Sequence, residues 1–198
     1  PERKEMVSLT PDQVAQILAE LARRNHWALP AIALAFTSGL RRSEFAALRW
    51  SDFDADAALI HVRRAVHFMR DGQVGVRQPK SRQSRRAVAL DSGTVAMLSA
   101  HKLKCEREAD MFGRRLTPDC PLFAPSTQYG LGDAARPWRT DSYTRLWRRL
   151  TTRLKIRARL HDARHTSASL MLGAGIPTLL VSQRLGHSSP SFTLAQYG

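Results

Sequence analysis

Six polar residues, spread over the chain, have side chains that together can cleave a phosphodiester bond. Two arginines can hold a phosphate through paired hydrogen bonds, a lysine and two histidines can move protons, and a tyrosine near the C-terminus can act as the nucleophile. This chemistry does not require a metal ion. In chain order, these residues are Arg41, Lys80, His161, Arg164, His187 and Tyr197.

The local sequence around these residues suits such a site. Arg41 follows an apolar segment and a Ser-Gly pair, and glycine lets the backbone approach another group closely. His161 and Arg164 are one helical turn apart, so a helix presents both to the same point. His187 follows Gly186, which suits a helix end that turns the histidine toward a site.

The composition favours a polyanionic partner. The chain has 198 residues and a formal net charge of +14, and arginine outnumbers lysine 26 to 5. The planar guanidinium grips phosphates, and a globular chain this basic is expected to bind a polyanion. A basic surface that merely reflects a GC-rich genome is the alternative. No apolar run approaches the roughly 20 residues of a membrane-spanning helix.

The positioning elements are predicted to be mostly helices, with a small three-stranded antiparallel sheet. Thr10, Pro11 and Gln13 have the pattern of a capped helix start, and residues 29–38 predict a buried helix. A short helix is expected to begin near Ser43 and to end before Trp50. Further helices are predicted over 92–113, 143–154, 161–172 and 177–185.

Three strands are expected over 58–69, 73–78 and 85–90, and Asp71-Gly72 is a hairpin signal. Lys80 would then lie on the connection between the second and third strands. Cys105 and Cys120 do not form a CxxC pair, so we expect both to be unpaired thiols in a reducing compartment.

The six residues, in this order and with these motifs, resemble the catalytic domain of the tyrosine recombinases, the phage integrase family. The resemblance runs from roughly residue 8 to the end. It implies the catalytic-domain fold of that family over residues 10–198, truncated just after the nucleophile. Residues 1–9 would be a linker from a missing N-terminal core-binding domain.

The resemblance also implies site-specific DNA recombination or integration, with a role for each site residue. Arg41 and Arg164 clamp the scissile phosphate, and His187 hydrogen-bonds it. Tyr197 attacks the phosphate and forms a 3′-phosphotyrosyl link, which the 5′-hydroxyl of a partner strand then reverses.

Proton transfer falls to two other residues in the resemblance. Lys80 protonates the departing 5′ oxygen, and His161 handles protons beside Arg164. Glu44 corresponds to an acidic residue of the family that orients the site without reacting. Further arginines are expected to contact DNA, mostly at phosphates, which supply affinity but no sequence information. They are Arg42, Arg82, Arg85, Arg86, Arg139, Arg145 and Arg149.

The implied partners are double-stranded DNA attachment sites and, in the full-length form, three further copies in a homotetramer on DNA. The implied location is the cytoplasm, at the nucleoid, without membrane association, and no cofactor is implied. His161 and His165 have HxxxH spacing, but the glutamate of HExxH and an acidic third ligand are missing. We therefore predict no metal site, and we expect His165 to pack within its helix.

Two other hypotheses for the function remain open from the sequence. A type IB topoisomerase has nearly the same cleavage chemistry but relaxes supercoils as a monomer. A non-catalytic regulator is also possible, because residues 166–186 have the pattern of a helix-turn-helix DNA binder. Of the competing tyrosines, Tyr143 lies on an apolar stripe and is expected in the core, and Tyr129 lies in a Gly-rich loop.

Overall fold

The computed structural model describes residues 7–68, 74–77, 85–128, 131, 136–187, 189, 191, 193 and 194. The helices named in these ranges are α1 (Pro11–Arg23), α2 (Leu29–Ser38), α3 (Arg42–Phe45), α4 (Ser92–Met111), α5 (Thr140–Arg153), α6 (Asp162–Gly173) and α7 (Thr178–Leu185). The strands are β1 (Phe53–Asp54), β2 (Leu59–Val62), β3 (Ala65–Phe68), β4 (Val74–Arg77) and β5 (Arg86–Ala89). The mostly helical class with small antiparallel sheets is confirmed.

The chain divides into two compact units. The first, here called the helical unit, comprises Pro1–Arg42 and Asp141–Gly198, and the second, the sheet unit, comprises Ser43–Thr140. Among the four predicted site residues that are described, Arg41, His161, Arg164 and His187 all belong to the helical unit.

The predicted capping box begins α1. The Thr10 side chain accepts from the Gln13 amide, and the Gln13 side chain accepts from the Thr10 amide. Leu9, the last residue of the expected linker, is buried, and its amide donates to Thr166 Oγ1 at 3.0 Å. The packed part of the helical unit therefore includes Leu9.

Helix α2 is almost wholly buried, as its apolar sequence predicts, and it packs against α1 and α6. It ends at Gly39, which has a positive φ of 66°. Helix α5 buries Tyr143 and Trp147. The Trp147 ring packs on Phe36 of α2 with centroids 5.8 Å apart, so aromatic contacts join α5 to the buried helix.

Helices α6 and α7 follow each other closely and pack together. Gly175 makes the turn between them with a φ of 78°. Ala168 of α6 is buried against Val181 and Leu185 of α7. Helix α7 ends at Gly186, whose φ of 68° is again left-handed. Two glycine-capped helix ends, those of α2 and α7, thus belong to the same unit.

The sheet unit contains the three-stranded antiparallel sheet, but with different strands from those predicted. The strand expected over 58–69 is broken after β2, and β1 rather than the hairpin strand completes the sheet in the order β1-β2-β5. Strands β3 and β4 form a separate two-stranded sheet. Arg63 and Arg64 lie at the break and form ion pairs with the buried carboxylate of Asp52.

Helix α3 is a single turn that ends at Phe45, so it is shorter than predicted. Helix α4 begins after Asp91, which caps the helix by accepting from the Thr94 amide at 2.8 Å. Cys105 and Cys120 are both buried, and the two do not form a disulfide. In the part of the chain that the structure describes, no helix combines the length and apolarity needed to cross a membrane.

Gly39 occupies a position where an added methyl group would be costly. Besides its positive φ, a Cβ there would lie 2.5 Å from Leu185 Cδ2. We expect Gly39→Ala to lower the free energy of unfolding by about 2–4 kcal/mol, because left-handed backbone strain adds to overpacking. Urea denaturation measures this loss. Gly113→Ala is the matched control, because Gly113 has a φ of 65° but open space around it; equal losses in both variants would contradict the packing argument.

Candidate active site

Two arginines that are distant in sequence reach the loop that follows α7. Arg41 Nη2 donates to the Gly186 carbonyl at 3.2 Å, and Arg164 Nη2 donates to the Leu185 carbonyl at 2.8 Å. His187 is the next residue along the chain. The structure therefore brings Arg41, Arg164 and His187 together around three consecutive residues at the end of α7, Leu185, Gly186 and His187.

Arg164 is buried, with 3% of its surface exposed, and it spans two helix ends. Its Nη1 donates to the Gly39 carbonyl at 2.8 Å, beyond α2, while its Nη2 holds the end of α7. Arg184 adds a third such bond, from its Nη2 to the Thr37 carbonyl at 2.8 Å. The last carbonyls of a helix lack partners within the helix and carry partial negative charge. Guanidinium groups therefore suit these positions.

His161 lies immediately before α6, one turn from Arg164. It is accessible to solvent. Partial desolvation of the ring lowers the pKa of His161, the charges of Arg164, Arg159 and Arg41 lower it further, and Asp162 opposes them. The imidazole is therefore neutral at pH 7 and able to accept a proton.

The position of His161 is set from both sides. Asp162 is buried and accepts from the Arg159 amide at 2.6 Å and from Arg159 Nη2 at 3.0 Å, which holds the turn before α6. The His165 ring meets the His161 ring edge-on, with centroids 4.8 Å apart and an interplanar angle of 86°. His165 is buried in α6, in agreement with its expected packing role.

His187 forms a hydrogen bond with a residue that no sequence motif indicated. Its Nδ1 lies 2.7 Å from Thr193 Oγ1. Thr193 is fully buried and has helical backbone. Thr193 and Arg184 lack a local motif that marks them in the sequence, because their partners, His187 and Thr37, are defined only by the folded chain.

Glu44 forms a buried ion pair within the sheet unit. Its carboxylate accepts from Arg86 Nη2 at 2.9 Å and from Arg86 Nη1 at 3.1 Å, and both side chains are at least 93% buried. The Arg86 guanidinium is thus directed onto Glu44, and its phosphate contact stays a prediction. Glu44 holds an arginine of β5, which the sequence did not indicate.

The other predicted DNA-binding arginines that are described lie at the surface. Arg42 is exposed and donates to Thr144 Oγ1 at 2.5 Å. Arg145 and Arg149 are exposed at i and i+4 on α5, so they share one face of that helix. Arg85 and Arg139 are exposed in the sheet unit.

Three predicted residues, Lys80, Arg82 and Tyr197, lie outside the described residues, as does Tyr129. Tyr143, the competing tyrosine, is fully buried, and burial raises the pKa of its hydroxyl well above the usual value. It is therefore a core residue, as expected. Within the described ranges, histidine, cysteine, aspartate and glutamate side chains form no group of three or more suited to a metal ion.

The Glu44–Arg86 pair predicts a large stability effect. Glu44→Gln leaves the Arg86 charge buried without its counter-charge, so we expect the free energy of unfolding to fall by about 3 kcal/mol or more. Glu20→Gln is the control, because Glu20 binds Arg23, Arg24 and Arg153 at the surface, where ion pairs contribute little. Urea denaturation of both variants tests this; a similar loss in the two would refute the buried-pair argument.

His165 predicts acid sensitivity. Burial, followed by the charge of His161, lowers the pKa of His165 to about 4, whereas an unfolded histidine titrates near 6.5. Between these values the unfolded chain binds more protons, so the free energy of unfolding falls as the pH is lowered from about 6.5 to 4. His101 contributes in the same direction, because burial also lowers its pKa to about 4.

Urea denaturation across that pH range measures this effect. We expect His165→Gln to reduce the slope of stability against pH, with His101→Gln as the matched variant in the sheet unit. A slope that is the same in wild type and in the His165 variant would show that His165 does not titrate differently on folding.

Comparison with known proteins places this chain in a family. A sequence model described as the Phage integrase family matches residues 7–198. The ICEBs1 integrase of Bacillus subtilis (strain 168) is 28% identical over 197 residues, which cover 99% of this chain and 51% of that protein. A XerC-like tyrosine recombinase of Caldanaerobacter subterraneus is 26% identical, and the match covers 52% of that protein. This chain thus spans about half the length of these relatives.

Solved structures support the same fold. The Tn1549 transposon integrase in complex with transposon right end DNA superposes with a TM-score of 0.80 at 19% identity, over 100% of this chain and 63% of that chain. The XerA recombinase has a TM-score of 0.71 at 19% identity, over 100% of this chain and 60% of that chain. The resemblance inferred from the six residues is therefore confirmed: this chain belongs to the phage integrase family of tyrosine recombinases.

Proposed function

We propose that the protein containing this chain is a site-specific DNA recombinase, and that this chain is its catalytic part. The observation that carries the proposal is the attachment of Arg41 and Arg164 to consecutive carbonyls beside His187. The side chains of Arg41, Arg164 and His187, which can all donate hydrogen bonds, therefore lie around the end of α7. Such preorganised donors stabilise the charge that develops on a phosphate during attack.

The cleavage step follows from the proposed residues. The Tyr197 hydroxyl oxygen attacks the scissile phosphorus, and the bond between phosphorus and the 5′ oxygen breaks. Arg41 and Arg164 donate to the nonbridging oxygens, and His187 donates a third hydrogen bond. The product is a 3′-phosphotyrosyl ester and a free 5′-hydroxyl.

Two further residues carry the protons. The neutral ring of His161 takes the proton from the Tyr197 hydroxyl, a role that its lowered pKa supports. Lys80 gives a proton to the departing 5′ oxygen. The ester keeps the energy of the broken bond, so a 5′-hydroxyl from a partner strand can reverse the step without an external energy source or a cofactor.

The partner in this proposal is a double-stranded DNA attachment site. Net charge +14 and the exposed guanidinium groups of α5 support binding to phosphates. Arg42, Arg82, Arg85 and Arg139 would add contacts, while Arg86 would act through its pair with Glu44. The full-length protein would assemble as a homotetramer on DNA and would act in the cytoplasm, at the nucleoid.

The proposal also includes the domain organisation. Residues 10–198 would form the catalytic domain, and residues 1–9 would lead into it from a DNA-clamping domain on the N-terminal side. This chain spans about half of the ICEBs1 integrase and half of the XerC-like recombinase, which leaves room for a further domain in the complete protein.

The decisive experiment is covalent trapping with the complete protein. A nicked duplex carrying the ends of the encoding element should form an adduct that survives denaturation, and peptide mapping should find the DNA on Tyr197. We expect Tyr197→Phe to abolish the adduct, because the phenyl ring has no nucleophilic oxygen.

Tyr143→Phe is the matched control, because it removes a tyrosine hydroxyl from the buried core. The adduct should persist in this variant. An adduct that persists in Tyr197→Phe, or sequence-specific binding with no adduct in wild type, would overturn the catalytic proposal. Strand transfer to a partner duplex then separates a recombinase from a nicking and resealing enzyme.

A further inference from the structure

We propose that Thr193 is a positioning residue that keeps a proton on Nε2 of His187 and so makes that nitrogen the donor to the DNA phosphate. The inference rests on the proposed function of His187. Thr193 is not among the six residues identified in the sequence, and its hydroxyl would set the protonation state of the imidazole that the reaction uses.

The contact has the geometry of a strong hydrogen bond. Thr193 Oγ1 lies 2.7 Å from His187 Nδ1, a short distance for a bond to nitrogen. Thr193 has 0% exposure, so water does not compete for this hydroxyl. A buried hydroxyl normally bonds a defined partner, and the imidazole supplies one here.

A hydroxyl both donates and accepts hydrogen bonds, so it is compatible with a protonated Nε2 in either charge state of the ring. In the proposed arrangement Thr193 Oγ1 donates to Nδ1 of the neutral imidazole, which leaves the proton on Nε2. When the ring is a cation, the same hydroxyl accepts from Nδ1–H, and Nε2 is again protonated. A carboxylate at this place only accepts, so it would keep the proton of a neutral ring on Nδ1 and leave Nε2 unable to donate.

The backbone restrains the same histidine from its other side. The His187 amide donates to the Ser182 carbonyl at 3.0 Å, in the last turn of α7. Arg41 holds the preceding carbonyl, that of Gly186. Because the main chain is held at both groups, the bond from Thr193 restrains the remaining freedom, which is the rotation of the His187 side chain.

Two measurements on the complete protein test this assignment. Nitrogen-15 NMR distinguishes the two imidazole tautomers, and comparison with His187→Gln identifies the His187 signals. We expect wild type to show Nε2–H, and Thr193→Val, which keeps the branched shape but lacks the hydroxyl, to gain Nδ1–H. Thr193→Ser, which keeps the hydroxyl, should restore the wild-type pattern.

The second measurement is the rate of adduct formation on the nicked duplex. Thr193→Val should slow cleavage about 5- to 10-fold, the range expected for losing one hydrogen bond, and Thr193→Ser should recover most of the rate. In the Thr193→Val/His187→Gln double variant, cleavage should be no slower than in His187→Gln alone, because both changes remove one interaction.

Thr151→Val is the control for loss of a buried hydroxyl, because Thr151 bonds the carbonyl of Trp147 within its own helix. It should change neither the His187 signals nor the cleavage rate. If His187→Gln cleaves slowly but Thr193→Val matches wild type in both measurements, the positioning role is refuted and the proposed function stands. If His187→Gln cleaves as fast as wild type, the role of His187 in the proposed function fails, and the positioning role fails with it.

Discussion

The buried guanidinium of Arg164 is the interaction on which the arrangement of the candidate site depends. It donates to the Gly39 carbonyl after α2 and to the Leu185 carbonyl at the end of α7. One side chain of α6 therefore sets the separation of two helix ends. The residues that follow those ends, Arg41 and His187, take their places from this bond pattern.

The described arginines differ in the kind of partner that they bind. Arg41 and Arg164 donate to the backbone carbonyls of Gly186 and Leu185, which carry partial negative charge. Arg86 has a full carboxylate partner in Glu44, so that pair is close to neutral.

Burial and nearby positive charge act together on the two histidines beside Arg164. Desolvation is the larger cause of the lowered pKa values of His161 and His165, and the charges of Arg164 and Arg159 lower both pKa values further, because a nearby cation disfavours a second one. Both effects favour the neutral imidazole of His161, which can accept a proton.

Local patterns in the sequence determined most helices, the capping box at Thr10, the burial of Tyr143 and the family. These features depend on residues close together in the chain or on separate short motifs. The break between β2 and β3, the pairing of Arg86 with Glu44, and the bond between Thr193 and His187 were decided by the tertiary structure. Each of these features involves polar side chains that meet only in the folded chain, including Arg63 and Arg64 on Asp52 at the strand break. Hydrophobic periodicity contains no information about which polar groups meet.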